Sequence, residues 1–124
     1  MTVLPEDIDG QNHVNNTVYL RWVQEVATAH WRAIAPTEAL DVIGWVALRH
    51  EIDYKAPGKL GDEVLLRTWV GKASRLTFER FTEVRRKSDH QLLAQARTLW
   101  CPINPATGRP TRVSADVRAQ FSVA

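Results

Sequence analysis

One stretch limits the fold of this chain more than any other. From about Thr17 to Ala35 the polar positions Arg21, Glu25, Thr28 and Arg32 recur at helical spacing and make one narrow stripe, with Gln24 beside it. Val18, Tyr19, Leu20, Trp22, Val23, Val26, Ala27, Ala29, Trp31, Ala33 and Ile34 fill most of the remaining surface. A surface helix carries an apolar stripe on a polar cylinder. Here the proportions are inverted, so the helix is expected to be enclosed on several sides. Its length is roughly 28 Å at 1.5 Å per residue, enough to cross a small domain. Asn15 or Asn16 supplies the cap, since a short side-chain oxygen accepts from an orphan N–H of the first turn. Pro36 ends the helix, because the residue before a proline avoids the α region.

Ahead of the helix, Thr2 to Leu4 reads as a short strand stopped by Pro5, and Glu6 to Asn16 as a polar loop. Behind it come strands. From Trp45 to Tyr54, Val46, Leu48, His50, Ile52 and Tyr54 alternate with Ala47, Arg49, Glu51 and Asp53, the period of a half-buried strand. Pro57, Gly58 and Gly61 mark a turn. Glu63 to Val70 is a second strand. Leu76 to Arg85 is a third, with a slip between Phe78 and Phe81 that suggests a bulge. Leu92 to Cys101 is a fourth, carrying Leu92, Ala94, Ala96, Thr98 and Trp100 on one face. Ser114 to Phe121 closes the chain as a short helix capped by Ser114. One antiparallel sheet of about four strands can wrap one long helix. The other face of the sheet and its edge still need cover, which predicts a symmetric oligomer.

The 124 residues suit one domain, 1–124, and the mixture of 44% hydrophobic and 24% charged residues is that of a folded chain. No apolar run approaches the roughly 20 residues of a membrane span. Met1 to Asp9 carries no basic segment followed by an apolar one, and Cys101 is the single cysteine. Together these favour the cytoplasm. The net charge of +2 is too small to argue for nucleic acid. His13, His30, His50 and His90 show no metal-ligand spacing, so no metal is expected. A Gly-rich phosphate loop and a Gly-x-Ser-x-Gly elbow are both missing, which argues against a nucleotide hydrolase and an α/β-hydrolase.

The informative motif is Asp7-Ile8-Asp9-Gly10-Gln11-Asn12-His13-Val14-Asn15-Asn16-Thr17-Val18-Tyr19. It resembles the opening of the 4-hydroxybenzoyl-CoA thioesterase family, where an Asp-x-Asp pair precedes a Gly-His-Val-Asn-Asn-like turn and a central helix. It is also similar to the Asp-x-Asn-x-His-Val-Asn-Asn stretch of plant acyl-ACP thioesterases. The likeness continues through Arg49-His50-Glu51-Ile52-Asp53-Tyr54, Gly61-Asp62-Glu63-Val64 and Gly108-Arg109-Pro110. It implies an α+β hot-dog fold, an antiparallel sheet wrapped around one long helix. It also implies hydrolysis of an acyl-CoA or acyl-carrier-protein thioester, with coenzyme A present only as part of the substrate and no cofactor. The catalytic carboxylate falls at Asp9, with Asp7 more peripheral. The N–H that polarises the thioester carbonyl falls near Asn16. Active sites of this family generally lie at a subunit interface, in a homodimer or homotetramer. The family often has Gly where this chain has Asn12, and the acyl-ACP enzymes have Asn where it has Gln11.

The chemistry suits these residues. A helix N-terminus offers unpaired N–H groups and a positive dipole end to a developing oxyanion. A carboxylate just before it can attack the carbonyl or deprotonate water, and the sequence does not separate the two roles. His13 orients the loop or touches substrate, or simply holds the turn. Tyr19 and His50 are candidate substrate contacts, although an ordinary core histidine is the favoured reading of His50. The resemblance places Lys72, Ser74 and Arg75 near the coenzyme A phosphates, where cations are useful; a solvated turn is the plainer reading. Arg85, Arg86 and Lys87 read as solvated surface, and Cys101 as a small buried residue. Two other functions remain open: a hot-dog hydratase or dehydratase, and a non-catalytic acyl-binding domain. Asp9 and His13 lack the Asn-Pro-x-His context usual for the hydratases.

Overall fold

Asn15 opens the long helix in the computed structural model, which describes residues 1–35, 37–74 and 76–113 and, at 38 and 41, the backbone alone. The Asn15 side chain accepts from the Thr17 N–H, as a cap should. Helix α1 spans Asn16–Ile34 and ends with the extended Ala35. A six-residue helix α2, Thr37–Val42, follows directly. Four strands come next: β1 Gly44–Tyr54, β2 Val64–Ala73, β3 Phe78–Arg86 and β4 Leu92–Ile103. They form one antiparallel sheet in the order β1-β4-β3-β2. Thr2 bridges Glu63, and a 3-10 turn over Pro5–Asp7 takes part of the segment read as loop.

The helix packs against one face of the sheet. Val18, Tyr19, Trp22, Val23, Ala27 and Trp31 are buried, whereas Arg21, Gln24, Glu25, Thr28, Ala29, Arg32 and Ala33 are exposed. Four strands of one chain therefore cover one side of α1, and the enclosure expected on several sides is not achieved within a single copy.

Two irregularities reset which residues face the helix. In β1 the register shifts between Ala47 and Arg49, so Trp45 and Ala47 share the inner face with His50, Ile52 and Tyr54. Val46 and Leu48 are turned out, with Leu48 56% exposed. Simple alternation had placed both on the inner face. The bulge expected between Phe78 and Phe81 lies instead in β2, where the pairing shifts between Val70 and Ala73. Strand β3 pairs with β4 without a break from Phe78 to Val84. Its inward residues are Phe78, Arg80, Thr82 and Val84, all buried. What looked like a slip is a buried arginine in an inward position, while Phe81 stacks on Trp69 of the outer face.

This arginine belongs to a polar band that crosses the inner face. His50 pairs with Thr98, and Thr98 with Arg80; beside them Thr68 pairs with Thr82. The band lies between two apolar clusters. One is built from Val3, Val14, Val18, Tyr19, Trp22, Val64, Val84, Leu93 and Ala94, around the start of α1. The other, with Trp31, Ala39, Val70, Phe78 and Val113, surrounds its end. Cys101 is a buried free thiol. No helix among the described residues is long and apolar enough to cross a membrane. The closing helix expected at Ser114 to Phe121 lies outside the described residues, as does Pro36.

Candidate active site

The Asp9 loop is built by short-range hydrogen bonds that its sequence prescribes. Asp9 N–H donates to His13 O at 2.9 Å, and Ile8 bridges Val14. Asp9 Oδ1 accepts from the N–H groups of Gln11, at 2.8 Å, and His13, at 3.4 Å. This is the turn-closing habit of a short acidic side chain. It fixes the carboxylate while leaving it half-buried at the surface. Asn12 adopts φ 62°, a left-handed angle that asparagine tolerates better than most residues. The departure from glycine at this position is therefore accommodated.

Asp7 has a different task. It is 2% exposed, with Oδ2 accepting from Leu4 N–H and Oδ1 from Arg21 Nη2, each within 3.1 Å. Its carbonyl accepts from Asn15 N–H. Asp7 thus lies deeper than Asp9 and ties the loop to α1. The two acids of the motif do not share a face.

At the start of α1 the donors can be counted. Thr17 N–H goes to Asn15 Oδ1 and Val18 N–H to Asn15 O. Asn16 N–H takes no partner among the described residues, so it is the open donor of this first turn. Tyr54 comes from the end of β1, and its hydroxyl donates to Asn16 O at 3.3 Å. Sequence reasoning passed over Tyr54; its signal was the last inward position of β1. Tyr19 is buried, with its ring edge-on to Trp22 and Tyr54. Its hydroxyl accepts from Gly58 N–H at 3.1 Å, and burial raises its pKa. A Cβ on Gly58 would stand 2.8 Å from Val14 Cγ2 and 2.9 Å from this hydroxyl, so only glycine fits. Tyr19 therefore fastens the Pro57 turn to the helix and shows little surface. His13 is exposed.

The other expected site residues lie elsewhere. His50 is half-buried in the polar band, with Nδ1 3.0 Å from Thr98 Oγ1. Its Nε2 is buried without a partner among the described residues, and burial lowers its pKa. Lys72 and Ser74 sit at the β2–β3 turn. The Ser74 hydroxyl is engaged with Thr77 and closes that turn, and Lys72 is exposed. Arg75 lies outside the described residues. That turn and the Asp9 loop stand at opposite ends of the sheet, separated by the ten residues of β2, roughly 30 Å at 3.3 Å each. One chain does not bring them together. Arg86, read as solvated surface, is a hub. It holds Asp62, Asp89 and the carbonyl of Pro57, and so braces the turn under Tyr19. Among the described residues no cluster of three His, Cys, Asp or Glu side chains could hold a metal.

The family model of the thioesterase-like superfamily matches residues 3–121. The chain belongs to this superfamily. Membership places it among thioester hydrolases. No curated protein matches the chain. Solved structures share its fold along nearly the whole length. A thioesterase from Thermus thermophilus, crystallised with coenzyme A and zinc, is 24% identical with a TM-score of 0.84, covering 98% of this chain and 93% of its own. A 1,4-dihydroxy-2-naphthoyl-CoA thioesterase from Synechocystis is 20% identical with a TM-score of 0.82, covering 98% and 91%. The dynemicin thioesterase is 22% identical with a TM-score of 0.85, covering 100% and 95%. The architecture of α1 on its sheet is therefore the hot-dog fold of this superfamily.

Proposed function

We propose that the chain hydrolyses acyl-CoA thioesters with Asp9 as the reacting carboxylate and Asn16 N–H as the oxyanion donor. The observation that carries this reading is the open Asn16 N–H at the head of α1, a few residues beyond a carboxylate already fixed by two backbone donors. The helix dipole adds positive potential at the same point. A donor placed on the developing oxyanion acts in the transition state, where one such group contributes on the order of 10²–10³ in rate. Asp9 attacks the carbonyl or takes a proton from water; the thiolate leaves without needing a strong acid. His13 N–H steadies Asp9, and Tyr54 steadies the backbone at Asn16.

Lys72 and Ser74, which Arg75 follows in sequence, join such a site only from a second copy, because of the sheet's length. A twofold pair whose axis crosses the strands meets this need, since the two copies then run antiparallel and one end of each meets the other end of its partner. Edge strand β1, with Val46 and Leu48 turned out, is a suitable surface for that pairing.

The test is thiol release from short, long and aromatic acyl-CoAs by the wild type and Asp9→Asn. Turnover by the wild type with a loss of about 10²–10⁴-fold in kcat/KM for the variant supports the reading. Equal rates would remove Asp9 from the chemistry. An enoyl substrate that is hydrated without release of thiol would favour the hydratase instead.

A further inference from the structure

Arg86 ends β3, two residues beyond the buried Val84, and pairs with the buried Val64. The period of two turns its side chain to the inner face of the sheet. All three nitrogens of its guanidinium are engaged. Nε donates to Asp62 Oδ2 at 3.1 Å, Nη1 to Asp89 Oδ2 at 2.9 Å and Nη2 to Pro57 O at 2.9 Å. Two carboxylates fix the plane of the group, and its remaining edge meets a neutral carbonyl. Asp62 Oδ2 also accepts from Lys59 N–H at 3.0 Å, so the same ion pair closes the turn from its other side.

Pro57 O and Gly58 N–H are the two ends of one planar peptide group. The N–H end donates to the buried Tyr19 hydroxyl at 3.1 Å. One peptide is thus clamped between a cation and a phenol, and the cation on its carbonyl strengthens the donor at the other end. The next carbonyl, Gly58 O, accepts from Val14 N–H at 2.8 Å. The open Asn16 N–H lies between these two attachments, two residues after Val14 and three before Tyr19. Val14 follows His13, whose N–H and carbonyl hold Asp9. The Pro57–Gly58 peptide therefore grips the chain on both sides of the donor, and Arg86 grips the peptide.

We infer that Arg86 is a positioning residue for the proposed reaction, setting through the Pro57–Gly58 peptide where the Asn16 N–H stands relative to Asp9. The inference rests on the thioesterase reading of those two residues. Arg86 acts at a remove, since its side-chain hydrogen bonds go to Asp62, Asp89 and Pro57. A displacement of about 1 Å in a reacting group can cost on the order of 10²-fold in rate. The donor serves the oxyanion of the transition state, so its displacement lowers kcat and leaves substrate binding almost as it was.

The experiment compares steady-state thiol release from acyl-CoAs by the full-length wild type, Arg86→Met, Arg86→Lys and Asp9→Asn, each confirmed as folded under assay conditions. Arg86→Met keeps the length of the side chain and removes every donor. It is expected to lose about 10²-fold in kcat, with KM within about threefold of the wild type. Arg86→Lys restores one charged donor and should recover part of the loss; it also carries the test if Arg86→Met does not fold. Amide hydrogen exchange supplies a readout independent of turnover. In Arg86→Met the Val14 and Gly58 amides should exchange about tenfold faster relative to those of Ala27 to Trp31, whereas a general loss of stability would move both groups together. The inference is overturned if the Arg86 variants keep the wild-type kcat, if only KM changes, or if Val14 and Gly58 keep pace with the rest of α1. Asp9→Asn separates the two claims. Full turnover in that variant overturns the reading of Asp9 and the inference with it, while its loss beside an unchanged kcat in the Arg86 variants overturns the inference alone.

Discussion

The two ends of α1 are packed on different principles. Around Asn16 the chain is cross-tied: Asp7 to Leu4 and Arg21, Asp9 to Gln11 and His13, Tyr19 to Gly58, Arg86 to Asp62, Asp89 and Pro57. Around Trp31 large aromatic rings meet edge to face and leave a cavity beside a buried cation. Between them runs the band of His50, Thr98, Arg80, Thr82 and Thr68. A carboxylate that must meet a reacting carbonyl needs a rigid frame, and many short hydrogen bonds provide one. A recess shaped by indoles offers volume and van der Waals surface instead. One helix thus has a cross-tied head and, at its tail, the wall of a recess.

The sharpest way to break this contrast is Asp7→Ala. It removes the acceptor for Leu4 N–H and Arg21, and hydrogen bonds to a charged group each contribute roughly 1.5–3 kcal/mol. We expect a loss of about 3 kcal/mol in unfolding free energy, read from urea midpoints. Thr28→Ala, at the exposed far end, should stay within about 0.5 kcal/mol. Similar losses in the two variants would mean that the Asn16 end is not the cross-tied one.

The band between the clusters should respond to pH. Burial, and then Arg80, lowers the pKa of His30, and burial lowers that of His50. Below the unfolded value of about 6.5 the unfolded chain takes up protons that the folded chain does not. Stability is therefore full above this pH and falls as the pH drops towards the lower folded values. Glu79, whose pKa is lowered chiefly by its bond to Arg97, adds a loss only further down, below its ordinary value of 4.5. His30→Gln keeps an acceptor for Arg80 but cannot titrate, and it should flatten the urea midpoint between about pH 7 and pH 5.5. An unchanged slope would take His30 out of the band's response. A small effect is also expected of Asn12→Gly in the Asp9 loop. The φ of 62° suits both residues, so stability should change by less than about 1 kcal/mol and thiol release should persist. A large loss of activity would show that the Asn12 side chain contributes beyond the turn.

The helix, the four strands and the Asp9 loop were legible in the sequence because each follows from local rules: a capped run of helical period, alternating strands, and turns at Pro57 and Gly61. What escaped depended on partners distant in sequence. A single extra residue near Leu48 reversed the faces of half of β1. Arg80 broke the apolar pattern because its neighbours, Thr68 and His30, come from another strand and from the helix. Helix α2 went unseen because Pro36 reads as an ending and six residues carry little periodicity. That Lys72 and Ser74 stand a full strand away from Asp9 is a matter of topology, which motif order along the chain does not reveal.

The account's central claim, that one catalytic site uses the Asn16 end of one copy and the β2–β3 turn of another, can be tested by mixing variants. Asp9→Asn and a Lys72→Ala/Arg75→Ala double variant would be unfolded together, refolded as a mixture and assayed for thiol release. A mixed dimer carries one site with both lesions and one with neither. The account predicts that the refolded mixture regains activity well above that of either variant refolded alone. Activity no higher than the average of the two would contradict it.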